Sequence, residues 1–165
     1  MSGDQIETRA GFAAREGAVI HAEQAHHLEG HVPHGAEGAE ADSPPGQAPA
    51  WLYLFNWDTP VDGGKWRSPH ALEIGFVFDN VANSESMSGV GEEQQRVADI
   101  MADTWIAFAR TGNPNNPSIP EWPAYDTEAR PVMVFDTEPE LVNDARGAQR
   151  ALLNDSDAYG NRYQR

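Results

Sequence analysis

The sequence predicts a protein of the α/β class, and three segments of the chain carry this prediction. Residues 51–57 (WLYLFNW) and residues 131–136 (PVMVFD) are short and predominantly apolar, as expected of strands inside a sheet. Residues 92–110 lie between them and repeat apolar side chains every three or four positions, as expected of an amphipathic helix. A long helix that connects two buried strands is typical of an α/β fold.

The predicted helix has clear signals at both ends. Glu92 and Glu93 lie at the positive end of the helix dipole, where negative charge is favourable. Arg110 lies near the negative end, and Gly112 should end the helix. The apolar face comprises Val97, Ile100, Met101, Trp105 and Phe108. Because burying each of these side chains contributes roughly 1.5–3 kcal/mol, this face needs a partner surface.

The two strands have different boundaries. Asp58, Thr59 and Pro60 end the first strand, because proline lacks the backbone N–H that a sheet requires. Residues 61–67 should then form a mobile loop. Pro131 opens the second strand, which we therefore expect at the edge of the sheet. Residues 137–153 are predicted to be a loop with a short helix near residues 149–153, and two strands with one long helix make a marginal core.

Residues 68–80 (SPHALEIGFVFDN) contain the candidate catalytic histidine, His70. Residues 72–78 predict a short helix or turn that buries its apolar side chains: Leu72, Ile74, Phe76, Val77 and Phe78. Glu73 is the polar exception and, if buried, must find a hydrogen-bond donor or take up a proton. A loop can position an imidazole as a general base. Spacing alone nevertheless favours a structural histidine that bonds to a backbone carbonyl.

Residues 1–48 differ in composition from the rest of the chain. They form a low-complexity segment rich in His, Ala, Gly and Glu, which we expect to be mostly irregular, with a frayed helix over residues 5–29. The segment contains five of the six histidines: His21, His26, His27, His31 and His34. Although His27 and His31 have the spacing of two helical metal ligands, Gly30 and Pro33 disrupt any helix there. We therefore expect no metal site and no cofactor. Residues 154–165 should form a disordered tail.

Composition excludes several classes of partner. The formal net charge is −15 and Lys65 is the only lysine, which argues against binding to nucleic acid or to anionic membranes. The chain has no cysteine, so neither a disulfide framework nor a thiolate zinc site is expected. No apolar run reaches the roughly 18 residues of a membrane span, and the N-terminus does not resemble a signal peptide. A cytoplasmic location is the resulting default.

The segment around His70 resembles the histidine segment of type-B carboxylesterases, the family that includes cholinesterases and bacterial para-nitrobenzyl esterases. Motifs similar to those of the family occur in family order at residues 51–57, 69–78 (PHALEIGFVF), 105–115 (WIAFARTGNPN), 122–125 (WPAY) and 133–135 (MVF). The resemblance covers residues 49–153 and corresponds to the last part of a much longer family chain. Residues 3–6 (GDQI) also resemble the family, so a reading-frame shift would explain the unrelated sequence before residue 48.

The resemblance implies the C-terminal portion of an α/β-hydrolase fold and roles for two residues. His70 would be the general base of a Ser-Glu-His triad. Glu73 would belong to a hydrogen-bonded network near the active site, with a salt bridge as the alternative. Independently of the resemblance, the position of Trp66 in the loop before His70 makes it a candidate for lining the substrate pocket, although a role in covering the core is the favoured alternative.

The resemblance also implies that most of the catalytic machinery is missing from these 165 residues. None of the eight serines lies in the G-x-S-x-G motif of an α/β-hydrolase nucleophile, and the glycine run of an oxyanion hole is absent. We therefore interpret the chain as a C-terminal fragment of a carboxylic-ester hydrolase, inactive alone, whose complete enzyme acts on small-molecule carboxylic esters. The alternatives are a non-catalytic cholinesterase-like interaction domain and a histidine-rich metal-binding protein.

Overall fold

The computed structural model describes residues 19–24 and 49–154, with side chains for residues 49–152. The strands are β1 (Val19–Gln24), β2 (Ala50–Phe55), β3 (Pro131–Phe135) and β4 (Glu140–Asn143). The helices are α1 (Glu73–Val77), α2 (Glu85–Ser88), α3 (Glu92–Thr111) and α4 (Gly147–Asn154). Two short 3₁₀ segments, Val61–Gly64 and Val81–Asn83, lie between β2 and α2.

The strands form one sheet in the order β1-β2-β3-β4. β2 pairs in parallel with β1 on one side and with β3 on the other, and Phe55 lies beside Phe135 at the carboxyl ends of β2 and β3. β4 pairs antiparallel with β3. Every residue of β2 and β3 is buried, which explains why both strands are continuous apolar runs in the sequence. The α/β prediction is therefore confirmed.

The prediction that β3 lies at the sheet edge is wrong, because β4 covers its outer side. Pro131 is compatible with this interior position because it is the first residue of the strand, where a missing N–H is tolerated. The sequence prediction places the residues of β4 in a loop and so misses this strand. The strand is only four residues long and half-exposed, which leaves a weak pattern in the sequence. The short helix predicted near residues 149–153 is confirmed as α4.

Strand β1 lies in the segment that was predicted to be irregular. The frayed helix expected over residues 5–29 is wrong for residues 19–24, which pair in parallel with β2. Pairing with an open sheet edge outweighs the weak helix preference of so short a segment. The predictions for the rest of residues 1–48 and for residues 155–165 lie outside the described residues and stay predictions.

Helix α3 packs across one face of the sheet and confirms the predicted amphipathic helix. Val97 and Met101 are fully buried in the main core cluster. Trp105 meets Tyr53 edge-on with ring centroids 4.9 Å apart, and Phe108 lies against Trp51 at 5.9 Å. The helix ends at Thr111, followed by Gly112 with a φ of 70°, the left-handed cap that glycine adopts most easily.

The opposite face of the sheet carries a second, smaller cluster. It contains Leu52, Leu54, Tyr125, Val132 and Val134. A backbone hydrogen bond holds the loop before β3 to β2, since the Tyr125 N–H donates to the Ala50 carbonyl at 2.7 Å. The sheet is therefore covered by apolar side chains on both faces, as expected of the parallel sheet of an α/β protein.

Candidate active site

The candidate histidine lies just beyond the carboxyl end of β2. Ser68, two residues before His70, is buried and its hydroxyl donates to the carbonyl of Phe55, the last residue of β2, at 3.4 Å. The Asn56 N–H donates to the Phe135 carbonyl at 2.8 Å and so joins the ends of β2 and β3. Ligands of α/β proteins bind at the carboxyl ends of parallel strands, so His70 lies where functional groups of this class collect.

The backbone is anchored on both sides of His70, and the imidazole itself is exposed. The Leu72 N–H donates to the Pro69 carbonyl at 3.1 Å, which closes a turn around His70. Ala71 has a φ of 66°, a left-handed conformation that is uncommon outside glycine and occurs in tight turns and functional sites. Leu72 is buried in the main core cluster. The arrangement therefore presents an exposed imidazole from a fixed turn.

Helix α1 holds this turn against the sheet through Phe76. The Phe76 ring lies 5.1 Å from the ring of Phe55 and 5.0 Å from that of Trp57. Trp57 is in turn tied to the start of α3, because its indole N–H donates to Glu93 Oε1 at 3.0 Å. The position of the turn thus depends on contacts with both β2 and α3.

The other side of α1 faces away from the core formed by the described residues. Ile74 is 52% exposed and Phe78 is 75% exposed, so the prediction that both side chains are buried is wrong. Successive positions of a helix are 100° apart, so residues two positions apart lie on nearly opposite sides. Because Leu72 and Phe76 face the core, Ile74 and Phe78 face away from it.

Glu73 extends from the first turn of α1 and is half-buried. Its negative charge acts on Tyr53, a buried residue of β2: burial first, and the Glu73 charge second, raise the pKa of the Tyr53 phenol well above its ordinary value. Glu73 therefore lies near enough to Tyr53 for its charge to act on the buried phenol. Its membership of a hydrogen-bonded active-site network stays a prediction.

Trp66 lies in the loop that precedes His70 and is 56% exposed. Its indole N–H donates to Asp62 Oδ2 at 2.9 Å, and Lys65 Nζ lies 4.7 Å from the ring centroid. The hydrogen bond from Trp66, and then the one from Lys65, lower the pKa of the Asp62 carboxyl. The alternative that Trp66 covers the core is therefore wrong. Its role in a substrate pocket stays a prediction.

A groove of about 390 Å³ begins at Ala71, directly after the histidine. It lies between α1, the 3₁₀ segment Val81–Asn83 and α2, and its large apolar residues are Leu72, Ile74, Phe78 and Met87. The sequence does not reveal this feature, because residues 80–91 are rich in serine and glycine, a composition typical of surface loops. Of the larger apolar residues in this segment, Val81, Met87 and Val90, Met87 alone lines the groove.

The described residues also bear on the metal and membrane predictions. No group of three or more His, Cys, Asp or Glu side chains there could hold a metal ion. Four of the N-terminal histidines lie outside the described residues, and of His21 the structure describes the backbone alone. Among the helices that are described, none combines the length and the apolar character that crossing a membrane requires.

Taken together, the fold is the C-terminal portion of an α/β-hydrolase, with a histidine at the carboxyl edge of its parallel strands. Residues 35–153 match the model of the carboxylesterase family, and the chain belongs to this family. The match begins before residue 49, the boundary expected from the sequence motifs.

Known relatives show how much of the family fold this chain represents. The para-nitrobenzyl esterase of Bacillus subtilis (strain 168) is 35% identical over 108 residues, which are 64% of this chain and 22% of that protein. Human cocaine esterase is 31% identical over 86 residues, 50% of this chain and 15% of that protein. The chain thus spans about a fifth or less of the length of these curated relatives.

Solved structures agree with the sequence relatives. A thermophilic para-nitrobenzyl esterase superimposes with a TM-score of 0.58 at 32% identity, over 64% of this chain and 22% of that chain. A carboxylesterase of Geobacillus stearothermophilus gives a TM-score of 0.53 at 37% identity, over 63% of this chain and 22% of that chain. About two thirds of this chain therefore has the backbone arrangement of one part of an esterase fold.

Proposed function

We propose that this chain is the C-terminal part of a carboxylic-ester hydrolase and that His70 is the general base of its catalytic triad. The observation that supports this role most directly is the geometry of the histidine turn. Ser68 and Leu72 are buried on either side of His70, whereas the imidazole faces outward at the carboxyl end of a central parallel strand. A structural histidine would gain nothing from such exposure, but a base must reach a substrate.

In this role, one ring nitrogen of His70 accepts the hydroxyl proton of a serine nucleophile as its oxygen attacks the ester carbonyl. The same nitrogen then donates that proton to the departing alcohol, and water completes the cycle from the acyl-enzyme. An acid on the other ring nitrogen orients the imidazole. The serine, the acid and the oxyanion hole come from polypeptide outside these 165 residues, since no serine here lies in a G-x-S-x-G motif.

The chain alone should therefore lack esterase turnover. Free imidazole without a serine or oxyanion donors is a poor acyl acceptor. Incubation with p-nitrophenyl acetate should give a slow, non-saturating reaction that is no faster than an equivalent amount of free histidine. Saturable turnover that His70→Ala abolishes would show that the 165 residues contain a complete site.

The role of His70 is tested by restoring the missing part of the fold. The full 165-residue chain is fused behind the Bacillus para-nitrobenzyl esterase from which the matching 108-residue segment has been removed. His70→Ala in this fusion should lower kcat on the order of 10³-fold or more, with little change in melting temperature. Arg67→Ala, an exposed change in the same loop, is the matched control and should keep most of the activity.

Two outcomes would contradict the proposal. If His70→Ala retained most of its activity but melted several degrees lower, His70 would have a structural role. If the fusion melted cooperatively and yet had no activity before any substitution, a non-catalytic interaction domain would be the better description.

A further inference from the structure

Strand β1 lies outside the part of the chain that matches the carboxylesterase family. It ends at Gln24, whereas the family match covers residues 35–153. It nevertheless pairs in parallel with the whole of β2, from Val19 beside Ala50 to Gln24 beside Phe55. Residues 25–49 connect the two strands, a length above the dozen or so residues that a parallel crossover requires. A segment that is not part of the family match therefore completes the sheet on one side.

The two family-matched strands at the borders of the sheet differ in character. β4 has the features of a sheet edge, because it is only four residues long, antiparallel to its neighbour and half-exposed. β2 has none of the features that protect an edge, since all six of its residues (AWLYLF) are buried and none is a charged residue or a proline. A continuous apolar run of this kind is typical of a strand inside a parallel sheet. β2 therefore requires a neighbour on the side away from β3.

The sheet of a complete esterase has to continue from the same side of β2. The matched segment is 22% of the para-nitrobenzyl esterase of Bacillus subtilis, so most of that fold lies outside it. Because β4 ends the sheet on the other side, the side of β2 is where further strands can be added. In this chain β1 pairs there, and its sequence (VIHAEQ) has the polar and charged residues of an edge strand.

We propose that β1 is an autoinhibitory strand: it pairs with β2 at the position from which the sheet of a complete esterase continues, and so keeps this chain from joining such a sheet. One side of a strand accepts one neighbour, because each backbone N–H and C=O group on that side is used once in the ladder. β1 and the next esterase strand therefore exclude each other. The inference rests on the proposed function, since it takes the competitor to be the remainder of an esterase, although the pairing of β1 with β2 does not depend on His70.

Proline substitution in β1 tests the proposal. Neighbouring residues of a strand direct their N–H groups to opposite sides, so the double variant Ile20→Pro/His21→Pro removes one donor that faces β2. The double variant Ile20→Val/His21→Thr is the matched control, because it changes the same positions but keeps both N–H groups and a high strand preference. Each variant is made in the 165-residue chain and in the esterase fusion. Amide hydrogen exchange of β2 and α3 is the first measurement.

In the chain alone, the β2 amides that face β1 should exchange at least about tenfold faster in the proline variant than in the parent or the control. The α3 amides should keep their protection, which shows that the remaining fold is intact. If α3 also loses protection, the single variants Ile20→Pro and His21→Pro repeat the measurement with a smaller disturbance.

In the fusion, the β2 amides of the proline variant should be protected again, because the next esterase strand now takes the open side of β2. In the parent fusion the two strands compete, so only part of the molecules assemble. The proline fusion should therefore hydrolyse p-nitrophenyl acetate several-fold faster than the parent fusion at an unchanged KM, since the fraction of assembled molecules rises and the site itself does not change. The control fusion should behave like the parent.

Three results would overturn the proposal. Unchanged exchange of β2 in a folded proline variant of the chain would show that β1 does not close this side of the sheet. Exchange of β2 that is as fast in a folded proline fusion as in the proline chain would show that no esterase strand takes its place. Equal activity of the parent and proline fusions would show that β1 does not inhibit. If every fusion lacks activity while the exchange pattern holds, the competition of strands stands and the catalytic role of His70 fails.

Discussion

Helix α1 has one side inside the protein and one side in solvent, although both sides carry large apolar residues. Leu72 and Phe76 are buried against β2, whereas Ile74 and Phe78 are exposed. The two sides also differ in the contacts that hold them in place. The inner side is fixed by aromatic contacts with Phe55 and Trp57, and the outer side borders the groove.

The two sides of this short helix should therefore contribute differently to the stability of the chain. The inner side fixes the turn that presents His70, so it should determine the stability of the chain itself. The outer side is exposed in the described part of the chain, so it should contribute little to the stability of the chain. Substitutions on the two sides should therefore differ in the size of their effect on the free energy of unfolding.

Phe76→Ala should have the largest effect, because it removes a fully buried ring that contacts two other aromatic residues. Truncating a buried phenylalanine costs about 3–5 kcal/mol, since the lost burial is compounded by a cavity. Urea unfolding followed by tryptophan fluorescence measures the loss. Should Phe76→Ala cost less than about 1 kcal/mol, the contact of α1 with the sheet would not hold the histidine turn.

Gly75→Ala should have the next largest effect. Gly75 lies on α1 between its buried side and its exposed side. A Cβ at Gly75 would lie 2.7 Å from Ser84 Oγ and 3.2 Å from Ser84 Cβ. Overpacking of this kind costs about 1–3 kcal/mol. This exceeds the gain of roughly 1 kcal/mol that alanine offers over glycine in a helix.

Ser84→Gly provides the control for this prediction. The double variant Gly75→Ala/Ser84→Gly should recover part of the stability lost in Gly75→Ala, because it removes the clashing atoms. If Gly75→Ala stabilised the chain by itself, α1 would have room to move away from residue 84, and the inner contacts would be looser than the structure indicates.

The sequence predicted the elements whose patterns are local. The strand at residues 51–57 corresponds to β2, the periodic helix at residues 92–110 corresponds to α3, and Gly112 ends that helix as expected. Such signals are readable because a buried parallel strand and an amphipathic helix each impose a pattern on the residues that form them. The order of family motifs placed His70 in the loop after β2, and the structure places that loop at the carboxyl edge of the sheet.

The features that the sequence did not predict depend on distant partners. β1 (VIHAEQ) has neither a continuous apolar run nor clear alternation, and it is a strand only through its pairing with β2. The interior position of β3 depends on β4, whose half-exposed residues resemble a loop. The exposure of Ile74 and Phe78 could not be predicted either, because the identity of an apolar residue does not show which surface it contacts.

Arg150→Met tests an ion pair remote from α1 and should have a small effect. Arg150 donates to both oxygens of Asp144, Nε to Oδ1 at 3.1 Å and Nη2 to Oδ2 at 2.8 Å. Both side chains are partly exposed, so screening limits the contribution to about 0–1 kcal/mol at neutral pH. Methionine keeps an apolar stem and removes the charge.

The pH dependence of this pair has a definite sign. The hydrogen bonds from Arg150 lower the pKa of the Asp144 carboxyl in the folded chain. The stability from the pair is therefore present above the unfolded-state pKa, and it is lost as the pH falls through the lowered folded-state pKa. The difference between the parent and Arg150→Met should shrink below a pH of about 4, and also in about 1 M salt. A difference that persisted in both conditions would reflect packing of the arginine stem.

Phe78→Ala should have the smallest effect on the chain alone, and the comparison of the two sides of α1 depends on it most directly. Because three quarters of the Phe78 side chain is already in solvent, its truncation forms no cavity and should change stability by no more than about 0.5 kcal/mol. Urea unfolding of Phe78→Ala and Phe76→Ala at the same protein concentration compares the loss in the free energy of unfolding for the two variants. Similar losses for the two variants would mean that the outer side of α1 is already covered in solution, by residues outside the described part or by a second copy of the chain.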